Sequence, residues 1–374
     1  MEATRSPAQL KQTNNILRIA HIVQHLQPGG IETMVLNMAN AMRGTVQSRV
    51  ISLQGQPEEL LRDWQRLSTL KTPWIGFAKE NGVTPSLIIK LRDYFLENKI
   101  DVVHTHHIGP LLYGGIAAKM AKCHVVHTEH DAWHLENFRR RTLQKAILRV
   151  VRPTIVADAQ FVARAFEKNT GIKVNKVIPN GVDVSQFRSG NKSYARAYFG
   201  LRQYGFWVGN AGRLELVKDH KTLLDAMINT PPTVYLAIAG DGSQASALKQ
   251  YAQALGVADR VVFLGHVEQM KTFYQALDCF CLPSLKEGYP ISTLEAQACS
   301  VPCIVTDTGG STETLCPLTG TAVPVQRPDL LGNAITHLFH HTPECDPRQH
   351  VFEHNHFDHT MSKYFGIYTQ GAYE

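Results

Sequence analysis

Short apolar runs alternate with amphipathic stretches along almost the whole chain, and the alternation is interrupted once. Runs at 16–24, 46–53, 100–104, 124–128 and 154–157 are rich in Val, Ile and Ala and are bounded by turn residues. Such runs read as strands buried on both faces. Between them, a stretch ending near residue 42 and the stretches 58–67, 85–97, 111–122 and 139–151 carry apolar residues at helical spacing. Parallel strands need a crossover, and a helix is the usual one, so this order demands a parallel sheet covered on both faces. Residues 184–203 are polar and irregular. A second alternation follows, with strands at 206–211, 234–239, 261–264, 276–282 and 301–306 and helices at 291–299, 330–339 and 357–368. The expected fold class is α/β, with two Rossmann-like doubly wound domains.

At 374 residues the chain is long enough for two separate cores. No window holds the roughly 20 consecutive apolar residues of a membrane span. Residues 1–15 are polar, which reads as a disordered leader and not as a signal peptide. Seven cysteines without a paired CxxC spacing fit a reduced, cytoplasmic protein better than a disulfide framework. The net charge of +6 is uneven: residues 1–200 hold 27 Lys and Arg against 15 Asp and Glu, and residues 201–374 hold 11 against 17. A basic first half facing an anionic partner follows, and without a nucleic-acid motif a membrane surface or phosphorylated lipid suits it.

The densest cluster of chemistry is Pro283 to Ala296, which follows an apolar run and leads into a helix pattern. Pro290 fits the first helical position. The N–H groups of Ile291, Ser292 and Thr293 would then be unpaired and would suit a phosphate. Glu287 lies just before this turn and Glu295 about one turn inside the helix, placed to chelate a vicinal diol. Two glutamates at this spacing are equally what an ordinary strand-to-helix turn carries. Gly212-Arg213-Leu214 with Lys218 places two cations in one strand-to-helix loop, which suits a diphosphate; Asp219 reads as a helix N-cap. Gly240-Asp241-Gly242 reads as a turn open to close backbone approach by a base or ribose. Gly29-Gly30 after the first strand lets a phosphate approach, but the third Gly of the dinucleotide fingerprint is missing, so NAD is not indicated.

Two histidine-rich segments end strands: His104-Thr105-His106-His107, and His127-Thr128-Glu129-His130-Asp131 with His134. Their spacings match no zinc pattern, so they read as pocket residues and no metal is assigned. His130 and Asp131 are the pair expected to touch substrate. The helix at 138–152 is basic and amphipathic, with Leu143, Ile147 and Val150 expected on one face and Arg139, Arg140, Arg141, Lys145 and Arg149 around the rest. It reads either as a solvated basic face or as a surface for anionic lipid.

With Gly212-Arg213-Leu214 and Lys218, the turn Ile178-Pro179-Asn180-Gly181-Val182-Asp183 and Glu287-x7-Glu295, in this order, the chain resembles the retaining GT-B glycosyltransferases of family 4, the group 1 type. The resemblance runs from about residue 16 to residue 368. It implies two Rossmann-like domains facing each other across a cleft: an acceptor domain at 16–203, a nucleotide-sugar donor domain at 204–352, and a last segment at 353–374 crossing back. It implies that Arg213 and Lys218 hold the donor diphosphate, that Glu295 takes the ribose hydroxyls and that Glu287 contacts the transferred sugar. The backbone of Gly288, Tyr289, Pro290 and Ile291 would surround sugar and phosphate, and Gly30 would approach the phosphates. His130 would be the active-site histidine, with His106, His107 and Asp131 on the acceptor side. Tyr289 stands where many members have Phe, which bears on the sugar.

The resemblance further implies a metal-independent hexosyl transfer from a UDP- or GDP-linked sugar, without a cofactor, to a glycan or lipid-linked acceptor. The setting it implies is bacterial-type polysaccharide or lipopolysaccharide synthesis by a cytoplasmic enzyme, peripheral at the inner face of the plasma membrane. Three other readings remain at this point: a nucleotide-sugar 2-epimerase of the same fold, a metal-dependent hydrolase built on the histidines, and a non-catalytic sugar-binding protein.

Overall fold

The structure is a computed structural model that describes residues 16–42 and 44–373, with side chains to residue 371; the leader expected at 1–15 lies outside the described residues. The first sheet contains β1 (Leu17–Val23), β2 (Val46–Ser52), β3 (Trp74–Gly76), β4 (Val102–His106), β5 (His124–Glu129), β6 (Thr154–Ala157) and β7 (Lys176–Val177). Their order is β3-β2-β1-β4-β5-β6-β7. The second sheet contains β8 (Phe206–Ala211), β9 (Val234–Ala239), β10 (Val261–Gly265), β11 (Cys279–Leu282), β12 (Cys303–Thr306) and β13 (Thr321–Val323), in the order β10-β9-β8-β11-β12-β13. The ladders β1–β2, β1–β4, β8–β9, β8–β11 and β11–β12 are all parallel. Both sheets are therefore doubly wound, with a reversal of strand order beside β1 and beside β8, where such folds bind ligands.

The strands are as buried as their apolar runs predict: every residue of β4, β9, β11 and β12 is buried. Two of the short edge strands, β3 and β13, carry too little apolar sequence to announce themselves. The run at 276–282 yields strand only from Cys279, because Ala276 and Leu277 are used to turn out of the Met270–Gln275 helix.

Among the described residues the chain packs as two compact units, one holding those up to 129, 135–156 and those from 363, the other holding 130–134 and 157–362. The polar stretch 184–203, where the sequence suggests a boundary, packs within the second unit. Four of its apolar residues, Val184, Phe187, Ala195 and Leu201, are buried in the same core as Trp207 and Phe280. The last helix, Phe357–Tyr373, has its C-terminal half in the first unit, where Tyr364 and Tyr368 are fully buried. No helix among the described residues is long and apolar enough to cross a membrane.

Candidate active site

In the second unit the strand reversal lies between β8 and β11, so the loops that follow these two strands are neighbours. Leu285 N donates to the Val217 carbonyl at 2.8 Å and ties the loops together. Lys218 Nζ then reaches Glu287 Oε1 at 2.5 Å, and Ser284 Oγ donates to the same oxygen at 2.6 Å. The Glu287 side chain is 9% exposed and that of Lys218 22%, so the pair is substantially shielded from water. Arg213 stands exposed on the loop after β8; its carbonyl accepts from Glu215 N at 2.8 Å, and its charge helps to lower the Glu215 carboxyl. Asp219 caps the His220–Met227 helix as its position suggests, its side chain accepting from Thr222.

The helix after the Glu287 loop is Ile291–Ala298, and no side chain caps its first turn. Pro290 is its N-cap, with ψ at 122°, and not its first helical residue as the sequence suggests. The extended ψ costs proline nothing, and the N–H it lacks is not needed there either. Glu295 lies in the second turn and accepts from the Tyr274 hydroxyl at 2.8 Å. Burial, and then the Glu295 charge, hold the Tyr274 phenol well above its ordinary range, so it stays a donor.

Two glycine-bearing loops buttress this arrangement. Gly309 has φ +60°, and a Cβ there would overlap the Glu287 carbonyl oxygen; Gly310 N donates to the Gly288 carbonyl at 2.9 Å. Gly240 has φ +143° and packs on the Gly212 carbonyl in the same way. At Gly240 and Gly242 the space that a Cβ would need is filled by the Gly212 and Leu214 backbone, so both positions require glycine.

His130 belongs to this unit. Its Nδ1 meets Asp158 Oδ2 at 3.0 Å, and its carbonyl lies where a Cβ on Gly288 would be. Asn180 Nδ2 donates to Asp158 Oδ2 and to the Tyr289 carbonyl, each at 3.3 Å. Burial raises the Asp158 carboxyl, against the hydrogen bond and charge of His130. Asp158 and Asn180 escaped the sequence reading of the site, although both follow strands of a parallel sheet at the end where ligands bind. The Tyr289 hydroxyl accepts from Asn355 Nδ2 at 2.7 Å and is buried. This hydroxyl is thus engaged with protein groups, Asn355 and, at 3.5 Å, the Glu313 carbonyl. Asp131 pairs with His134 at 3.0 Å.

In the first unit the Gly30–Ala41 helix also lacks a side-chain cap, and a Cβ on Gly30 would meet nothing within 4 Å. Glu32, in its first turn, pairs with His25 at 3.4 Å. His106 is fully buried, its ring centroid 4.1 Å from that of His104, so its side chain is interior. His107 follows β4 with φ +74°. The Phe138–Val151 helix, capped by Asn137, buries Gln144, Ile147, Leu148 and Val151. Leu143 and Val150 are exposed at 45% and 60%, with Phe138 at 69%; the sequence had placed Leu143 and Val150 with Ile147. Gln144 is what displaces them: it turns inward to donate to Glu129 at 2.6 Å.

His220 gives the region a pH signature. Burial, and secondarily the Lys218 charge, lower its pKa from 6.5 to about 4. Between these values the unfolded chain binds a proton that the native chain refuses. Stability therefore falls as pH drops through this window, by up to about 1.4 kcal/mol per pH unit. His220→Gln should flatten that part of the urea midpoint against pH; an unaltered slope would refute the assignment.

Against this geometry the comparisons are specific. Residues 28–186 match Glycosyltransferase Family 4 and residues 200–355 match Glycosyl transferases group 1. EpsF of Bacillus subtilis is 28% identical over 78% of this chain and 79% of its own length. A GDP-mannose-dependent monoacylated alpha-(1-6)-phosphatidylinositol monomannoside mannosyltransferase of Corynebacterium glutamicum is 30% identical over 68% of this chain and 71% of its own. Of several other curated relatives the chain spans between 51% and 62% of the length. The solved structure of the Anabaena protein HepE in complex with UDP superposes with a TM-score of 0.82 at 21% identity, over 95% of this chain and all of that one. Two doubly wound sheets, matched half by half and together, leave one conclusion: the chain belongs to the group 1, family 4 type of glycosyltransferases, with the GT-B fold.

Proposed function

We propose that the chain is a retaining glycosyltransferase that moves a hexose from a UDP- or GDP-linked sugar to a glycan or lipid-linked acceptor in surface polysaccharide or lipopolysaccharide synthesis. The observation that carries this reading is the Lys218–Glu287 pair at 2.5 Å, beside a helix start that no side chain caps. Arg213, Lys218 and the N–H groups of that helix start supply positive potential where a diphosphate gains charge as it leaves. Glu287, held by Ser284 and Lys218, receives sugar hydroxyls, and Glu295 takes the ribose hydroxyls. His130, held by Asp158, is fixed in orientation beside the Gly288 backbone. The acceptor oxygen bonds to the anomeric carbon on the face from which the diphosphate departs. The acceptor proton passes to the departing phosphate oxygen, and Arg213 and Lys218 supply the charge that would otherwise call for a metal. The mannosyltransferase relative, whose name gives a lipid acceptor, supports that acceptor class.

The test is donor consumption with and without acceptor. Sugar transfer with retained anomeric configuration, undiminished by a strong chelator, is the expected result. A new nucleotide-sugar formed without acceptor would instead establish an epimerase. Thermal shift with UDP- and GDP-sugars identifies the base.

The exposed residues of the Phe138–Val151 helix, Phe138, Arg139, Arg140, Leu143, Arg149 and Val150, mix cations with apolar groups. Such a face suits the headgroup layer of an anionic membrane. Arg139→Glu with Arg149→Glu should abolish co-sedimentation with phosphatidylglycerol vesicles; binding equal to wild type would refute this role.

A further inference from the structure

The first unit contains a cluster that the transfer chemistry does not use. His21 pairs in register with His104 across β1 and β4, and His106 follows His104 by two residues on the same strand. Cross-strand partners and residues two apart share a face of a sheet, so the three imidazoles gather on one side. All three are fully buried. Their ring centroids are 5.3 Å apart for His21 and His104, 6.0 Å for His21 and His106 and 4.1 Å for His104 and His106. One nitrogen from each lies within 4.8 Å of the others.

His21 is the residue that demands an explanation. Neither of its ring nitrogens has a hydrogen-bond partner among the described residues. An unsatisfied polar group in a dry interior costs about 1–3 kcal/mol. His104 cannot relieve it by hydrogen bonding as it stands, since its Nδ1 meets the Tyr368 hydroxyl and its Nε2 the Thr128 hydroxyl, each at 2.7 Å.

We propose that His21, His104 and His106 hold a structural transition-metal ion inside the first unit, of the zinc, cobalt or nickel class. An all-imidazole donor set suits these borderline ions and not magnesium or calcium. Ligands about 2.0–2.1 Å from the ion require the rings to turn inward from their present spacing. His104 gives one nitrogen to the ion and keeps one hydroxyl on the other, the outer partner that orients a ligating imidazole. The ion clamps β1 to β4 and, through either the Tyr368 contact or the Thr128–Tyr364 hydrogen bond at 3.0 Å, the last helix to both. It takes no part in sugar transfer, so the proposal stands apart from the donor-site reading.

The test uses the full chain without an affinity tag, produced in cobalt-supplemented medium and purified without metal-affinity resin. One equivalent of cobalt, retained through dialysis against chelator and showing the visible spectrum of a nitrogen-ligated ion, is expected. The helix-surface pairs His337/His341 and His350/His354, each with centroids 4.5 Å apart, are the competing capture sites. His337→Ala with His350→Ala should therefore retain the interior equivalent, and His21→Ala should lose it. If His21→Ala fails to fold, His21→Gln, which preserves bulk, takes its place. A folded wild-type chain that retains no stoichiometric ion, or a folded His21 variant that keeps the spectrum, overturns the proposal.

Discussion

Lys218→Ala is expected to lower kcat/KM by about a hundred- to a thousandfold, the usual effect of removing one donor group aimed at developing charge. The loss should fall mainly on kcat, because the diphosphate carries more charge as it departs than in the bound donor. A second consequence follows from the ion pair. Glu287 accepts from both Lys218 and Ser284 on one oxygen, and without Lys218 a largely buried carboxylate loses its counter-charge. A destabilisation of about 1–3 kcal/mol should accompany the variant. Adding Glu287→Gln should restore much of that stability without restoring turnover. Steady-state kinetics with urea unfolding of both variants checks this. Wild-type kcat/KM in folded Lys218→Ala would remove the central cation of the proposed mechanism.

Gly309→Ala should be among the most damaging single methyls in the second unit. The residue sits at φ +60°, where a Cβ costs about 1–2 kcal/mol by itself. The methyl would also overlap the Glu287 carbonyl oxygen, a backbone atom that no rotamer change can move. Together these should cost about 3 kcal/mol or more and displace Glu287, so donor binding should fall with stability. Gly30→Ala is the control, since a methyl there meets nothing within 4 Å. Its urea midpoint should equal that of the wild type, and any change should appear only in donor affinity. Equal midpoints for Gly309→Ala and the wild type would contradict the account of the buttress.

The fold was legible because its strands are buried on both faces, and Val-, Ile- and Ala-rich runs such as β4 and β9 have no other stable placement in water. The short edges β3 and β13 were not, since three residues carry no period. The Lys218–Glu287 encounter was foreshadowed by charge: a cation after one strand and a carboxylate after another both fall where a parallel sheet binds ligands. Partnership across long sequence separations was not. Asp158 could not be assigned to His130, nor Tyr274 to Glu295, because the pairings depend on backbone paths set by the whole sheet. The same holds for His21: inside an apolar run it looked like one more strand residue, and only the β1–β4 register brings it against His104.

The loops that carry Lys218 and Glu287 lean on Gly240 and Gly309 through main-chain atoms alone. At these two contacts the scaffold is indifferent to the side chains that point outward from the loops. Substitutions at exposed positions such as Leu216 or Lys286 can therefore change the surface these loops present without disturbing the contacts at Gly240 and Gly309. Diversity of substrate across relatives and constancy of architecture would then have the same physical origin.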